Sequence, residues 1–266
     1  MQAEGLLRRQ DFKVKTNGVS SCGTHIVAKF LCVCMKNELV FCGYLQIDFF
    51  SIKNVYCIDM KATFDRSKHV FHSEAFAEII KDTIRFFNGT PVHQLPPPEN
   101  FVGAGVYALY YIGKSPYYKH LYEVNRLNFV QPVYVGKAVP RGWRQARLQQ
   151  ASNELYSRLC EHNNSICQVC NLDIDDFRCR FMILENAAVD MIGTVEASLI
   201  RQYVPIWNSC IDGFGNHDPG SGRYDQAKSD WDILHPGRRW ADNLKGNHPS
   251  LEEIKVKVLD YYDEKH

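Results

Sequence analysis

Apolar positions change their period several times along this chain, and each change marks an element. From Ser73 the stripe Phe76, Ile79, Ile80, Ile84 and Phe87 recurs at steps of three and four residues, the period of an amphipathic helix. Ser73 can cap its start and Gly89 stops it. Thr90 to Pro98, with consecutive prolines at 96–98, reads as a stiff connector. Val106 to Ile112 and Pro132 to Val135 are rich in tyrosine and valine and read as strands. Arg144 to Gln150 and Glu154 to His162 read as helices, the second capped by Asn153. Asp176 to Ile183 alternates as a strand does, with one polar side at its start. Asp190 is placed to cap a helix that runs to Tyr203 and ends before Pro205. Residues 209–225 read as a glycine-rich loop. Ser250 and Glu253 make a capping box, which opens a last helix with Leu251, Ile254 and Val258 inward. This order predicts an α+β domain: a small mixed β-sheet flanked by helices, elaborated at both ends.

Residues 1–59 have another texture. Phe30 to Met35 and Val40 to Leu45 mix cysteine, aromatic and aliphatic residues with neither helical period nor clean alternation. Polar sequence of ordinary kind begins at Met60. We expect 1–59 to be an upstream extension and 60–266 to form one domain, with its functional core at about 100–210.

The 266 residues, 45% of them hydrophobic, suffice for one sizeable core. Ten cysteines in a chain of this size are expected to stay reduced, in a cytoplasmic protein. No apolar run approaches the ~20 residues of a spanning helix, so no membrane partner is expected. Net charge is +1, so a polyanionic partner requires segregated basic residues. Pro132 to Asn153 shows such segregation: Lys137, Arg141, Arg144 and Arg147 occur there without an acidic residue. Taken alone, that run reads more simply as a solvated helix face.

Glu196 is the most informative single position. It falls inside the stripe Ile192, Val195, Leu199, Ile200 and Tyr203 of its helix. A carboxylate aimed at the core needs a cation to meet it. A buried salt bridge satisfies that, and so does a hard metal such as magnesium, which takes one or two carboxylates and keeps several waters. Arg158 and His162 lie four apart and share a helix face. Tyr107 and Tyr134 sit beside glycines on two strands, where a buried tyrosine with a satisfied hydroxyl is the plain reading.

Gly105-Val106-Tyr107, then Tyr134-Val135-Gly136-Lys137, then Arg158 and His162, then helical Glu196, then Trp207-Asn208, together and in this order, resemble the GIY-YIG nuclease domain. Further stretches, among them Asp65-Arg66-Ser67, Gly213-Phe214-Gly215-Asn216-His217 and Lys228-Ser229-Asp230, are similar to its Type II restriction endonuclease branch. The first motif has Val106 where the family name has isoleucine. The resemblance implies an enzyme that hydrolyses phosphodiesters of double-stranded DNA with one Mg²⁺ per active site, held by Glu196. It makes Tyr107 the general base and His162 the acceptor of its proton. Arg158 would grip phosphate oxygens, and Tyr134 and Asn208 would position the scissile phosphate. Lys137 would lower the Tyr107 pKa or touch phosphate.

The resemblance further implies a homodimer on a short GC-rich palindrome, CCGCGG in the branch it most resembles. Such an enzyme needs a cognate DNA methyltransferase in its host. Lys137, Arg141, Arg144 and Arg147 would track the DNA backbone. Arg178 and Arg180, on alternate positions of one strand, would face one way and suit guanine. A homing or repair nuclease, an RNA-processing nuclease and an inactive DNA-binding protein are the alternatives. Cys160, Cys167, Cys170 and Cys179 contain only one Cys-x-x-Cys pair and read as ordinary thiols. Asn216-His217 reads as part of a bland loop. Tyr110, Tyr111, Tyr117 and Tyr118 are expected to form an exposed patch or to pack between protomers.

Overall fold

The computed structural model describes residues 25–28, 45–48, 64–143 and 152–263. By its internal contacts the chain divides into two units, Met1–Phe71 and His72–His266. In the first unit β1 (His25–Ala28) pairs antiparallel with β2 (Leu45–Asp48). A single 3₁₀ turn, Arg66–His69, is capped by the Asp65 carboxylate, which accepts from the Ser67 amide.

The second unit carries α1 (Glu74–Gly89), β3 (Val92–Gln94), β4 (Gly105–Tyr111), α2 (Lys119–Asn125), β5 (Tyr134–Ala138), α3 (Glu154–Cys167) and β6 (Phe177–Ile183). It continues through α4 (Ile192–Tyr203), α5 (Ile206–Ser209), α6 (Asp230–Leu234) and α7 (Leu251–Asp263). The sheet order is β3-β6-β4-β5. All of its pairings are antiparallel, so the α+β class holds and the expected mixed sheet is corrected. A parallel neighbour needs a crossover back to the same end of the sheet. Residues 112–133 instead turn through α2 and bring the chain back alongside β4.

Every residue of β4 is buried, because helices cover both faces of the sheet. Alternation divides that strand between two cores. Tyr107, Leu109 and Tyr111 join Leu155, Leu159 and Ile166 of α3 on one face. Val106, Ala108 and Tyr110 join Phe87 of α1 and Ile192, Val195 and Leu199 of α4 on the other. Beyond residue 210, Phe214, Trp231, Leu234, Ile254 and Val258 belong to the first of these cores.

Local chemistry accounts for some helix starts. The Ser73 hydroxyl accepts from the Phe76 amide. At α7, Ser250 and Glu253 cap each other reciprocally. Asn153 precedes α3 but makes no side-chain cap bond, and the residue flanking α4 is Met191, with Asp190 in the 3₁₀ turn before it. In the second unit several elements fall where none was expected: β3 lies inside the connector, α2 follows the tyrosine-rich stretch, and the short helices α5 and α6 flank the glycine-rich loop. The tyrosine patch is also corrected. Tyr110, Tyr111 and Tyr118 are buried. Tyr118 is closed into the core by the Trp207 and His235 rings. The expected helix at Arg144 to Gln150 lies outside the described residues.

Candidate active site

The two strand tyrosines are brought together by β4 and β5. Tyr107 pairs across the ladder with Gly136. A side chain at 136 would run into the Tyr107 ring and hydroxyl, so glycine is the residue that lets this ring lie over β5. Tyr134 is on the same face, its ring centroid 6.2 Å from that of Tyr107. Both point toward α3, where Arg158 and His162 lie one turn apart.

The Tyr107 hydroxyl meets His162 Nε2 at 2.6 Å, and both side chains are buried. His162 is stacked on Phe214 at 4.6 Å between centroids and meets Tyr134 edge-on at 5.3 Å. Burial pushes the His162 pKa well below its ordinary value, and the nearby Arg158 cation adds to the shift. Burial pushes the Tyr107 pKa well up, while the charge and hydrogen bond of Arg158 work against that rise. In this form the pair is therefore a neutral phenol beside a neutral imidazole.

Arg158 is the cation of this face. Its Nη1 donates to Glu161 Oε2 at 2.7 Å and contacts His217 Nε2 at 2.6 Å. Its Nη2 donates to the Gly215 carbonyl at 3.3 Å. A guanidinium stays charged and fits phosphate oxygens, so an anion is the natural ligand here.

The opposite side of β5 carries the carboxylate. Lys137 alternates with Gly136 and pairs with Glu196 of α4. The Glu196 side chain is 17% exposed, so its placement within the apolar stripe and its salt bridge both hold. Among the described residues no cluster of three or more His, Cys, Asp or Glu is arranged around a metal. A single hard carboxylate that solvent still reaches fits magnesium, which keeps most of its own waters.

Asn208 stands against β5 in a different way. Its Oδ1 accepts from the Val135 amide at 2.8 Å and its Nδ2 donates to the Val135 carbonyl at 2.9 Å. β5 is an edge strand, and Asn208 bonds to it as a neighbouring strand would. Its amide thus fixes the residue between Tyr134 and Gly136.

The expected DNA-contacting residues are only partly gathered here. Lys137 is in the site. Arg141 is exposed and pairs with Glu154 at 3.3 Å. Arg144 and Arg147 lie outside the described residues. Arg178 and Arg180 share a face as expected, but it is the Ala108 and Tyr110 face, away from Tyr107. Arg178 Nη1 donates to the Asp175 and Phe177 carbonyls, and Arg180 lies over the Tyr110 ring at 5.5 Å.

The loop after α5 contributes what sequence reading passed over. Phe214 stacks on His162, Gly215 makes room for the Tyr134 hydroxyl and Arg158, and His217 contacts Arg158. The signal available was the resemblance carried by Gly213 to His217, within which Asn216-His217 read as part of a bland loop. Arg238 and Asp232 hold this loop from beneath.

A protein-family model described as the Eco29kI GIY-YIG domain matches residues 99–262. That span includes Tyr107, Tyr134, Arg158, His162, Glu196, Asn208 and the loop carrying Phe214 and His217. No curated protein matches the chain.

Proposed function

The chain belongs to the Eco29kI GIY-YIG family, a family of Type II restriction endonucleases, and from that premise we propose that it is a site-specific, Mg²⁺-dependent deoxyribonuclease acting on double-stranded DNA. The observation that carries this reading is the buried Tyr107–His162 contact at 2.6 Å, with Arg158 beside it and Glu196 across β5.

Phosphodiester hydrolysis needs an activated water, charge stabilisation on the phosphorus oxygens and help for the leaving oxygen. Tyr107 supplies the first. A free phenolate is expensive in this buried position, so its proton leaves in step with the one it takes from water. His162, held neutral by burial, receives the phenol proton at Nε2. The Tyr107 hydroxyl is closed off from solvent, so DNA binding has to shift a covering side chain before water reaches it. Arg158 binds the non-bridging phosphate oxygens, and Tyr134 orients them from the same face. Glu196 holds the magnesium ion, whose chemistry is to stabilise charge on the leaving oxygen. Lys137 neutralises Glu196, and a carboxylate that held the ion would release this ammonium to meet phosphate. Asn208 keeps β5 in place beneath these groups.

We further propose a homodimer cutting a GC-rich palindrome, with CCGCGG the first site to test, and restriction of foreign DNA beside a host methyltransferase. These rest on the family resemblance. The test is a digest of plasmid DNA with Mg²⁺, wild type beside Glu196→Ala, with the cut ends sequenced. Discrete fragments from wild type alone, with DNA binding kept by the variant, support the reading. Cutting by Glu196→Ala would remove the metal assignment. Degradation of RNA in preference to DNA would replace the substrate class.

A further inference from the structure

Arg158 is held mostly by a loop that the catalytic motifs do not include. Both nitrogens at the end of its guanidinium meet residues of 213–217: Nη2 the Gly215 carbonyl at 3.3 Å, Nη1 the His217 ring at 2.6 Å. A guanidinium has only donors, so His217 accepts at Nε2 and carries its proton on the other nitrogen. Glu161 accepts from the same Nη1 at 2.7 Å and lies 3.9 Å from His217.

A glycine-rich loop on the surface would be a poor clamp if it were free to move. This one is tied down. Arg238 donates to the carbonyls of Phe214 and Asn216 at 3.1 Å each and to Gly213 at 2.9 Å. Its Nε bonds Asp232 at 2.6 Å, and both side chains are 1% exposed. The Trp231 and Trp240 rings lie against the guanidinium at 4.5 and 4.8 Å. Asp232 takes a further bond from the Ser229 hydroxyl at 2.6 Å. A buried arginine with each of its three nitrogens donating in this way fixes the backbone that it bonds.

We propose that His217 is a positioning residue for Arg158: the 213–217 loop, anchored by the buried Arg238–Asp232 pair, sets the guanidinium beside the Tyr107 hydroxyl through Gly215 and His217. The function of the sequence Gly213 to His217 is then to extend the catalytic face beyond α3. The inference rests on the nuclease reading above, but its contact is testable separately. His217 is largely exposed, so replacing it leaves the core alone.

The experiment compares the full chain with His217→Ala and His217→Gln. Cleavage of a plasmid is followed at saturating enzyme with Mg²⁺, and affinity for the same DNA is measured without the metal. Alanine is expected to slow the single-turnover rate by roughly 10- to 100-fold, the cost of a displaced catalytic group, with affinity unchanged. Glutamine places an acceptor near the Nε2 position and is expected to restore most of the rate. A wild-type rate in His217→Ala, or a loss matched by weaker DNA binding and not rescued by glutamine, overturns the proposal. A wild-type protein that cuts no DNA would instead remove the nuclease reading. The ¹⁵N resonances of the Arg158 guanidinium then decide: a shift on His217→Ala keeps the clamp, and no shift removes it.

Discussion

Among the described residues two buried tyrosine–histidine hydrogen bonds stand out, and one of them lies beside a cation that solvent still reaches. Tyr107 meets His162 Nε2 at 2.6 Å; Tyr118 meets His235 Nε2 at 2.5 Å. All four rings are buried, and burial pushes both tyrosines up and both histidines down. What surrounds them differs. Tyr118 accepts from Trp207 Nε1 at 2.9 Å and donates to His235, whose Nδ1 bonds Asn171 Oδ1 at 2.9 Å. Asn171 in turn donates to the Leu234 carbonyl at 2.8 Å. That chain begins at an indole and ends on a backbone carbonyl, within the protein. The nearest cation, Arg238, is already saturated by Asp232 and the loop carbonyls. Beside Tyr107 the cation is Arg158, a quarter exposed, with Glu196 near enough to be felt electrostatically. A buried phenol–imidazole contact is therefore not in itself a catalytic feature. A partly open cation next to it, able to take an anion, makes the difference.

The comparison breaks most visibly at the hydroxyls. Tyr107→Phe is expected to slow single-turnover cleavage by roughly 10²- to 10⁴-fold, the usual worth of a general base, with the fold retained. Tyr118→Phe should leave that rate where it is. Its effect falls on stability: the Trp207 donor and the His235 acceptor are orphaned, at a cost of roughly 1–3 kcal/mol for each buried group. Single-turnover cleavage and urea unfolding, measured on both variants, read the two effects. A Tyr118→Phe enzyme that is as stable as wild type but slow would invert the assignment.

Acid gives a smaller effect of known sign. The His235 pKa is lowered from the ordinary 6.5 to about 3. Above 6.5 neither the folded nor the unfolded form is protonated there, so the group contributes no pH dependence. Between 6.5 and about 3 the unfolded chain takes a proton that the folded one refuses, so stability falls with pH. From pH 6.5 to 5 the loss from this one histidine is about 2 kcal/mol, at 1.36 kcal/mol per unit. His162 acts in the same direction. Denaturant midpoints from pH 7 to 5 test it; flat midpoints would mean that both rings open to solvent before they titrate.

The smallest expected effect concerns the strand beneath the active pair. Asn208→Ala removes both bonds to Val135, at about 1 kcal/mol each. Cleavage should fall as β5 loosens, with the Tyr107–His162 contact intact. If Asn208→Ala abolished cleavage with no change in stability, its amide would have to touch the DNA directly.

Much of this arrangement was legible beforehand, for a physical reason in each case. Apolar spacing predicts β4, β5, β6, α3 and α4 because each buries a continuous face; it predicts α1 as well, although of that stripe Phe87 is buried while Phe76 and Ile79 are exposed. Glu196 stood out because a carboxylate within an apolar stripe has to be met by a cation, and Lys137 meets it. Arg158 and His162 share a face by helical period alone. The all-antiparallel sheet was not legible, since strand patterns do not record the path of the connections. Nor was β3, three residues lying among prolines, whose place comes from pairing with β6. The burial of Tyr110, Tyr111 and Tyr118 escaped for a related reason: a stretch of tyrosines looks the same whether helices cover it or water does.

Residue order by itself determined which groups could do chemistry, because side-chain identity sets what can donate, accept or carry charge, and helical and strand periods set which groups share a face. Only the tertiary structure decided which of two like pairs stands beside an open cation and which residues outside the motifs hold that cation. The loop at 213–217 is polar and glycine-rich in sequence. It becomes part of the site because Arg238, some twenty residues on in the chain, folds beneath it and fixes three of its carbonyls. Contacts of that kind depend on where distant segments meet, which no local pattern encodes.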